Sequence, residues 1–116
     1  MKYLALIYSA AGTGPVPKTP EFGALMGRYQ AAAKTYAEDG VMLAGEALQP
    51  VETATSIRIR DGKTELMDGP FAETKEQLGG FYMFECETLD DAIRYAKMIP
   101  TVGHGVVEVR PVMTFD

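Results

Sequence analysis

The residues best suited to chemistry form a small set: Asp68, Glu46, Arg28, His104 and three tyrosines, Tyr8, Tyr29 and Tyr82. Asp68 opens the run Asp68-Gly69-Pro70-Phe71-Ala72-Glu73-Thr74-Lys75-Glu76-Gln77-Leu78-Gly79-Gly80. That is roughly ten residues of connection where a plain hairpin needs about two to five, and long specified loops tend to carry function. A carboxylate at a strand end, facing a cleft between sheet and helix, works as a general base when partial burial raises its pKa. An Asp ahead of Gly-Pro can instead start a turn by accepting backbone N–H bonds.

Glu46 stands between Gly45 and Ala47 in an apolar stretch. A charge there needs a partner, so it either pairs with Arg28, Arg58 or Arg110 or lines a pocket. Tyr8, Tyr29 and Tyr82 can offer phenol hydroxyls to a substrate, and each also fits a core residue with a wet tip. His104, flanked by Gly103 and Gly105, reads as a catalytic imidazole or as a surface or dimer-contact residue. Thr74 and Gln77 have capping-box spacing for a short helical turn, which leaves Glu73 and Lys75 solvated or bridging a dimer. The Gly79-Gly80 pair permits close backbone approach by a ligand or a partner subunit.

One histidine and one cysteine, far apart, give no zinc or iron spacing, so no metal site is expected. Neither a phosphate-binding glycine loop, a nucleophile elbow nor a dinucleotide fingerprint is present, and the expectation is a protein without cofactors. With net charge −5 and 11 scattered Lys and Arg residues, the chain lacks the basic patch that nucleic acid or an anionic membrane rewards. The lone Cys86 fits a reducing compartment. No signal-peptide core and no apolar run of membrane-spanning length are seen, so the expected location is the cytoplasm.

These groups must be held by elements that the hydrophobic pattern outlines. Residues 2–8 form an apolar strand covered on both sides. Gly12 to Pro17 breaks the chain, and Thr19, Pro20 and Glu21 open a helix whose stripe is Phe22, Leu25, Met26, Tyr29, Ala33, Tyr36 and Ala37. Gly40 closes it. Strands follow at 41–48, 53–60 and 63–67, the last two joined by Asp61-Gly62, a strong two-residue turn. A strand at 80–86 comes after the long loop. Thr88 then caps a helix with the stripe Leu89, Ala92, Ile93, Ala96 and Ile99, stopped by Pro100, before a last strand at 105–110.

The order β-α-β-(hairpin)-β-α-β predicts a single α+β domain over residues 1–116. It reads as a ferredoxin-like plait with an extra β-hairpin, its antiparallel sheet carrying two helices on one face. The strands at 2–8, 80–86 and 105–110 are apolar on both faces, Tyr3, Ile7, Phe81, Met83, Val107 and Val109 being set against Leu4, Leu6, Tyr82, Phe84 and Val106. Two helices cover one face only, so a homodimer packed sheet to sheet is expected.

The run from Asp68-Gly69-Pro70-Phe71 through Gly79-Gly80-Phe81 resembles the signature of DGPF-type proteins in the YCII-related superfamily. Gly45-Glu46-Ala47-Leu48, Ile57-Arg58 and Val107-Glu108-Val109-Arg110-Pro111 are similar to further blocks of that family, so the likeness spans nearly the whole chain. It implies a dimeric α/β barrel. It also implies kinship with proposed small-molecule enzymes similar to muconolactone isomerase and dehydrochlorinases, which hold a His–Asp pair in a cleft. Arg28 and Tyr29 stand in the first-helix stretch where those enzymes place a histidine, and His104 is the only histidine here.

Two functions follow. One is a cofactor-free isomerase or lyase in which Asp68 moves a proton on a molecule held by Tyr8, Tyr29, Glu46 and Tyr82. The other is a non-catalytic binding or regulatory module, since DGPF-type relatives are associated with extracytoplasmic-function sigma factors. In a third reading the signature only builds the dimer.

Overall fold

Thr19 and Gly40 bracket the first helix as their chemistry requires. The structure, a computed structural model, describes residues 1–115. In helix α1 (Pro20–Asp39) the Thr19 hydroxyl accepts the Phe22 N–H at 3.2 Å, and Gly40, at φ 64°, ends the helix in the left-handed region. Thr88 caps α2 (Leu89–Ala96) in the same way, accepting the Asp91 N–H at 3.1 Å. Helix α2 ends at Ala96, short of Pro100, and Pro100 instead begins a 3₁₀ turn, Pro100–Gly103.

Among the described residues the strands are β1 (Lys2–Ala10), β2 (Met42–Ala47), β3 (Thr55–Arg60), β4 (Lys63–Asp68), β5 (Glu76–Glu85) and β6 (Val106–Pro111). Four of them form an antiparallel sheet in the order β2-β5-β1-β6, the ferredoxin-like plait. Strands β3 and β4 make a separate two-stranded hairpin. Asp61 and Gly62 both have positive φ, 50° and 76°, as a type I′ turn demands.

Strand β5 starts four residues earlier than the apolar pattern indicates, and this removes the helical turn expected from Thr74 and Gln77. Glu76, Gln77 and Leu78 pair with Ala10, Ser9 and Tyr8 of a longer β1, and the Thr74 hydroxyl donates to the Glu76 carbonyl at 2.5 Å. A partner strand satisfies each backbone group there, so extended geometry wins over the local cap. The signature connection shrinks to Gly69–Lys75.

The register also corrects the grouping of the sheet's faces. Tyr3 lies opposite Phe84 and Ala5 opposite Tyr82, so these four share one face, while Leu4 and Leu6 share the other with Met83 and Phe81. The first face lies beneath the helices. Its core joins Tyr3, Ala5, Phe84 and Cys86 to Ala32 and Tyr36 of α1 and to Ala92, Tyr95 and Ala96 of α2, with Ile99 beyond. Tyr36 is fully buried and meets Tyr82, Phe84 and Tyr95 edge-on with ring centroids 4.9–6.0 Å apart. Leu25, Tyr36, Ala92, Ala96 and Ile99 of the expected helix stripes are buried, while other members change. Ala32 is buried and Ala33 exposed in α1, and Tyr95 is buried in α2 while Leu89 and Ile93 face outward.

Candidate functional site

A cleft of about 500 Å³ opens between α1 and the sheet, bordered by two glycines against which other groups pack closely. A Cβ on Gly45 would lie 2.5 Å from the Tyr82 ring, and one on Gly80 would lie 2.8 Å from the Glu46 carbonyl oxygen. Glycine at both places lets β2, β5 and Tyr82 approach closely. Leu25, Met26 and Tyr29 of α1 form one wall, Ile7 and Ser9 of β1 the floor, and Thr101 one end.

The polar groups of this cleft are hydroxyls. The Tyr29 hydroxyl and the buried Thr101 Oγ1 are 2.5 Å apart, either one able to donate. Tyr82 stacks on Phe84 with centroids 5.9 Å apart, and among the described residues its hydroxyl has no hydrogen-bond partner. Burial first, and the neighbouring Tyr29 phenol second, hold the Tyr82 pKa above its ordinary value. Tyr82, protonated at neutral pH as a phenol is, can donate to an acceptor that enters the cleft. Behind it the Tyr36 hydroxyl donates to the Tyr95 carbonyl at 2.8 Å, and the Tyr95 hydroxyl donates to Asp39 Oδ2 at 2.6 Å. That second row keeps the cleft's aromatic wall rigid.

The structure sorts the residues singled out from the sequence. Tyr29, Tyr82 and Glu46 all border the cleft. Glu46 pairs in register with Phe81, so its side chain alternates to the open face of the sheet. It is exposed and makes no ion pair among the described residues, because β2 is an edge strand and the burial that would demand a partner is absent. Arg28 is likewise exposed on α1 and unpaired among the described residues.

Asp68 lies at the exposed end of β4 and lines neither the cleft nor the second hollow described below. The turn after it is held by other atoms. The Gly69 N–H donates to the Ala54 carbonyl at 2.7 Å and the Ser56 hydroxyl donates to the Gly69 carbonyl at 2.9 Å. His104, half-buried, packs on the loop before α1: a Cβ on Gly14 would lie 2.7 Å from its Nε2. Ser9 and Thr101 border the cleft without having been singled out. Only the sheet register and the 3₁₀ turn bring them there, and neither is written in a local motif.

Tyr8 belongs to the second hollow, about 530 Å³, beneath the signature loop. Leu48, Pro50, Val51, Pro70, Phe71 and Leu78 make it almost wholly apolar. The Arg58 guanidinium sits over the Phe71 ring, 5.3 Å from its centroid. Among the described residues no three His, Cys, Asp or Glu side chains converge as a metal site would require, and no helix is long and apolar enough to cross a membrane.

Sheet order and helix placement define an α+β plait with a cleft between α1 and the sheet. The profile of the YCII-related domain matches residues 1–116, so the chain belongs to that family. A protein of Rhizobium meliloti (strain 1021), described as uncharacterised, is 35% identical over 117 residues, covering 99% of this chain and 94% of its own. The fold is also similar to that of 5-chloro-2-hydroxyhydroquinone dehydrochlorinase (TftG) from Burkholderia phenoliruptrix AC1100, solved in complex with 2,5-dihydroxybenzoquinone. The TM-score is 0.53 at 14% identity, over 97% of this chain and 94% of that one.

Proposed function

We propose that this protein binds a small oxygenated ring compound in the cleft between α1 and the sheet, with Tyr82 and Tyr29 donating hydrogen bonds to its oxygens. The observation that carries this reading is the Tyr82 hydroxyl, without a hydrogen-bond partner among the described residues, in a mainly apolar cleft bordered by Gly45 and Gly80. An apolar pocket with a few converging donors suits a small planar molecule carrying carbonyl or phenolate oxygens. The dihydroxybenzoquinone bound by the dehydrochlorinase has that chemistry. A phenol that stays protonated at neutral pH can pass its proton to an oxyanion that develops beside it, so acid–base turnover of isomerase or lyase type is the finer form of the same reading, with Tyr82 as acid.

The working unit in this reading is a homodimer packed through the sheet face that no helix covers, which carries Leu4, Leu6, Phe81, Met83 and Val106. A thermal-shift screen of hydroxyquinones, cyclic enones and aromatic acids tests the ligand site. A compound that stabilises the wild type should lose most of its shift in Tyr82→Phe and keep it in Asp68→Asn. Loss in Asp68→Asn with retention in Tyr82→Phe would move the site to the signature run.

A further inference from the structure

The β3–β4 hairpin is turned the wrong way round for a monomer. Its polar face is the one tied to its own chain, through Ser56 on the Gly69 carbonyl and Arg58 over Phe71. Its other face carries Ile57, Ile59 and Leu66, which are 66%, 69% and 67% exposed, with Ile57 and Leu66 directly opposite one another. A two-stranded hairpin with nothing on its apolar face is marginal in water, and a solvated hairpin would show the reverse pattern. The arm also extends the molecule. The radius of gyration is 16.3 Å, against about 13.4 Å for a compact domain of this length.

A second apolar surface on the same chain lacks a cover. Around the hollow beneath the signature loop, Leu48, Phe71 and Leu78 are 48%, 74% and 37% exposed. The arm cannot fold back onto it, because its polar face is already bound to that loop. Two apolar surfaces that cannot meet within one chain can meet between two copies, and two-fold symmetry lets both pairs form at once.

We propose that the β3–β4 hairpin is an arm received by a second copy of this chain, its Ile57, Ile59 and Leu66 face closing over the partner's signature-loop hollow. This rests on the homodimer reading above and deepens it. It names the segment that crosses, and it assigns the hollow to the partner's side chains, leaving the cleft beside α1 for a ligand. Each hollow is then complete only in the assembly.

Sedimentation of the wild type and of the double variant Ile57→Asp, Leu66→Asp tests the arm. The expected result is a wild-type dimer and a variant whose dimer dissociation constant rises at least 100-fold, with an unchanged far-UV spectrum, since the arm face packs on nothing in its own chain. A variant that stays as tightly dimeric as the wild type overturns the arm and leaves the sheet-to-sheet dimer standing. A wild type that is monomeric at every concentration overturns both.

The seat is tested separately by co-refolding two chains, one Ile59→Cys and one Leu48→Cys, each also Cys86→Ala, and adding a short bis-maleimide. A covalent dimer in the mixture, absent from either chain alone, is expected. A dimeric mixture that gives no such band, or an Ile59→Cys chain that links to itself, overturns the proposed seat. This second experiment decides the matter even if the charged variant misfolds.

Discussion

The cleft beside α1 and the hollow beneath the signature loop have nearly equal volumes, about 500 and 530 Å³, yet they are built from different materials. The cleft is walled by residues rooted in the main core. Tyr82 leans on Phe84 and Tyr36, and Thr101 is buried against the Tyr29 hydroxyl. It is anchored in the aromatic core, and its side-chain donors are the hydroxyls of Ser9, Tyr29, Tyr82 and Thr101. The hollow is walled by a loop and an edge, its large side chains are half in water, and behind it stands a hairpin whose apolar face is exposed. Rigid walls with a few donors suit recognition of a small molecule. Loose apolar walls suit burial by another chain. The first part of the signature run, Pro70 to Leu78, thus lies with the second kind of surface, while its Gly79-Gly80 end borders the cleft.

Substitutions should separate the two regions, with effects falling from the core outward. Tyr36→Ala removes a fully buried ring, and by analogy with other large aromatic truncations it should cost about 3–5 kcal/mol. Denaturant unfolding measures this, and ligand binding in the cleft should vanish with it. Gly45→Ala drives a methyl into the Tyr82 ring and should cost about 1–3 kcal/mol through overpacking. If it does so while leaving dimer mass unchanged, the cleft and the assembly surface are independent. A matching loss of dimer would join them.

Alkaline pH should act on the cleft side through its buried phenols. Burial raises the pKa of both Tyr36 and Tyr82 in the folded chain, so the folded state favours the protonated phenols. Their contribution to stability is complete below the unfolded tyrosine value, about pH 10, and is lost as pH rises through the higher folded values. Tyr36→Phe should weaken that alkaline loss, at a cost near neutral pH of about 1 kcal/mol for the hydrogen bond to the Tyr95 carbonyl. Stability curves from pH 7 to 12 on both proteins would show it. Smallest of all, Ile59→Ala in protein dilute enough to be monomeric should change stability by less than about 0.5 kcal/mol, since the side chain touches water.

The parts of this fold set by local chemistry were legible in the sequence. Thr19 and Thr88 cap their helices, Gly40 ends α1, and Asp61-Gly62 makes the tight turn. The plait follows from element order. What depended on strand register was not legible. Whether Tyr82 shares a face with Tyr3 or with Leu4 turns on one residue of slippage, which no single strand encodes. The same gap explains why Tyr29 and Tyr82 could be singled out while Ser9 and Thr101 were missed, and why Glu46 looked buried. Its neighbours are apolar, but β2 is an edge strand whose alternate residues face outward. Asp68 stood out because its loop is long, and with β5 beginning at Glu76 that loop is shorter than the apolar pattern suggests.

The most direct test of the division between the two regions is ligand stabilisation measured side by side on the wild type, Tyr82→Phe and Ile57→Asp, Leu66→Asp. Hydroxyquinones and related ring compounds are the probes. The expected result is a compound that raises the melting temperature of the wild type and of the arm variant but not that of Tyr82→Phe. A compound whose stabilisation survives in Tyr82→Phe and disappears in the arm variant would contradict it, placing the ligand in the signature-loop hollow instead.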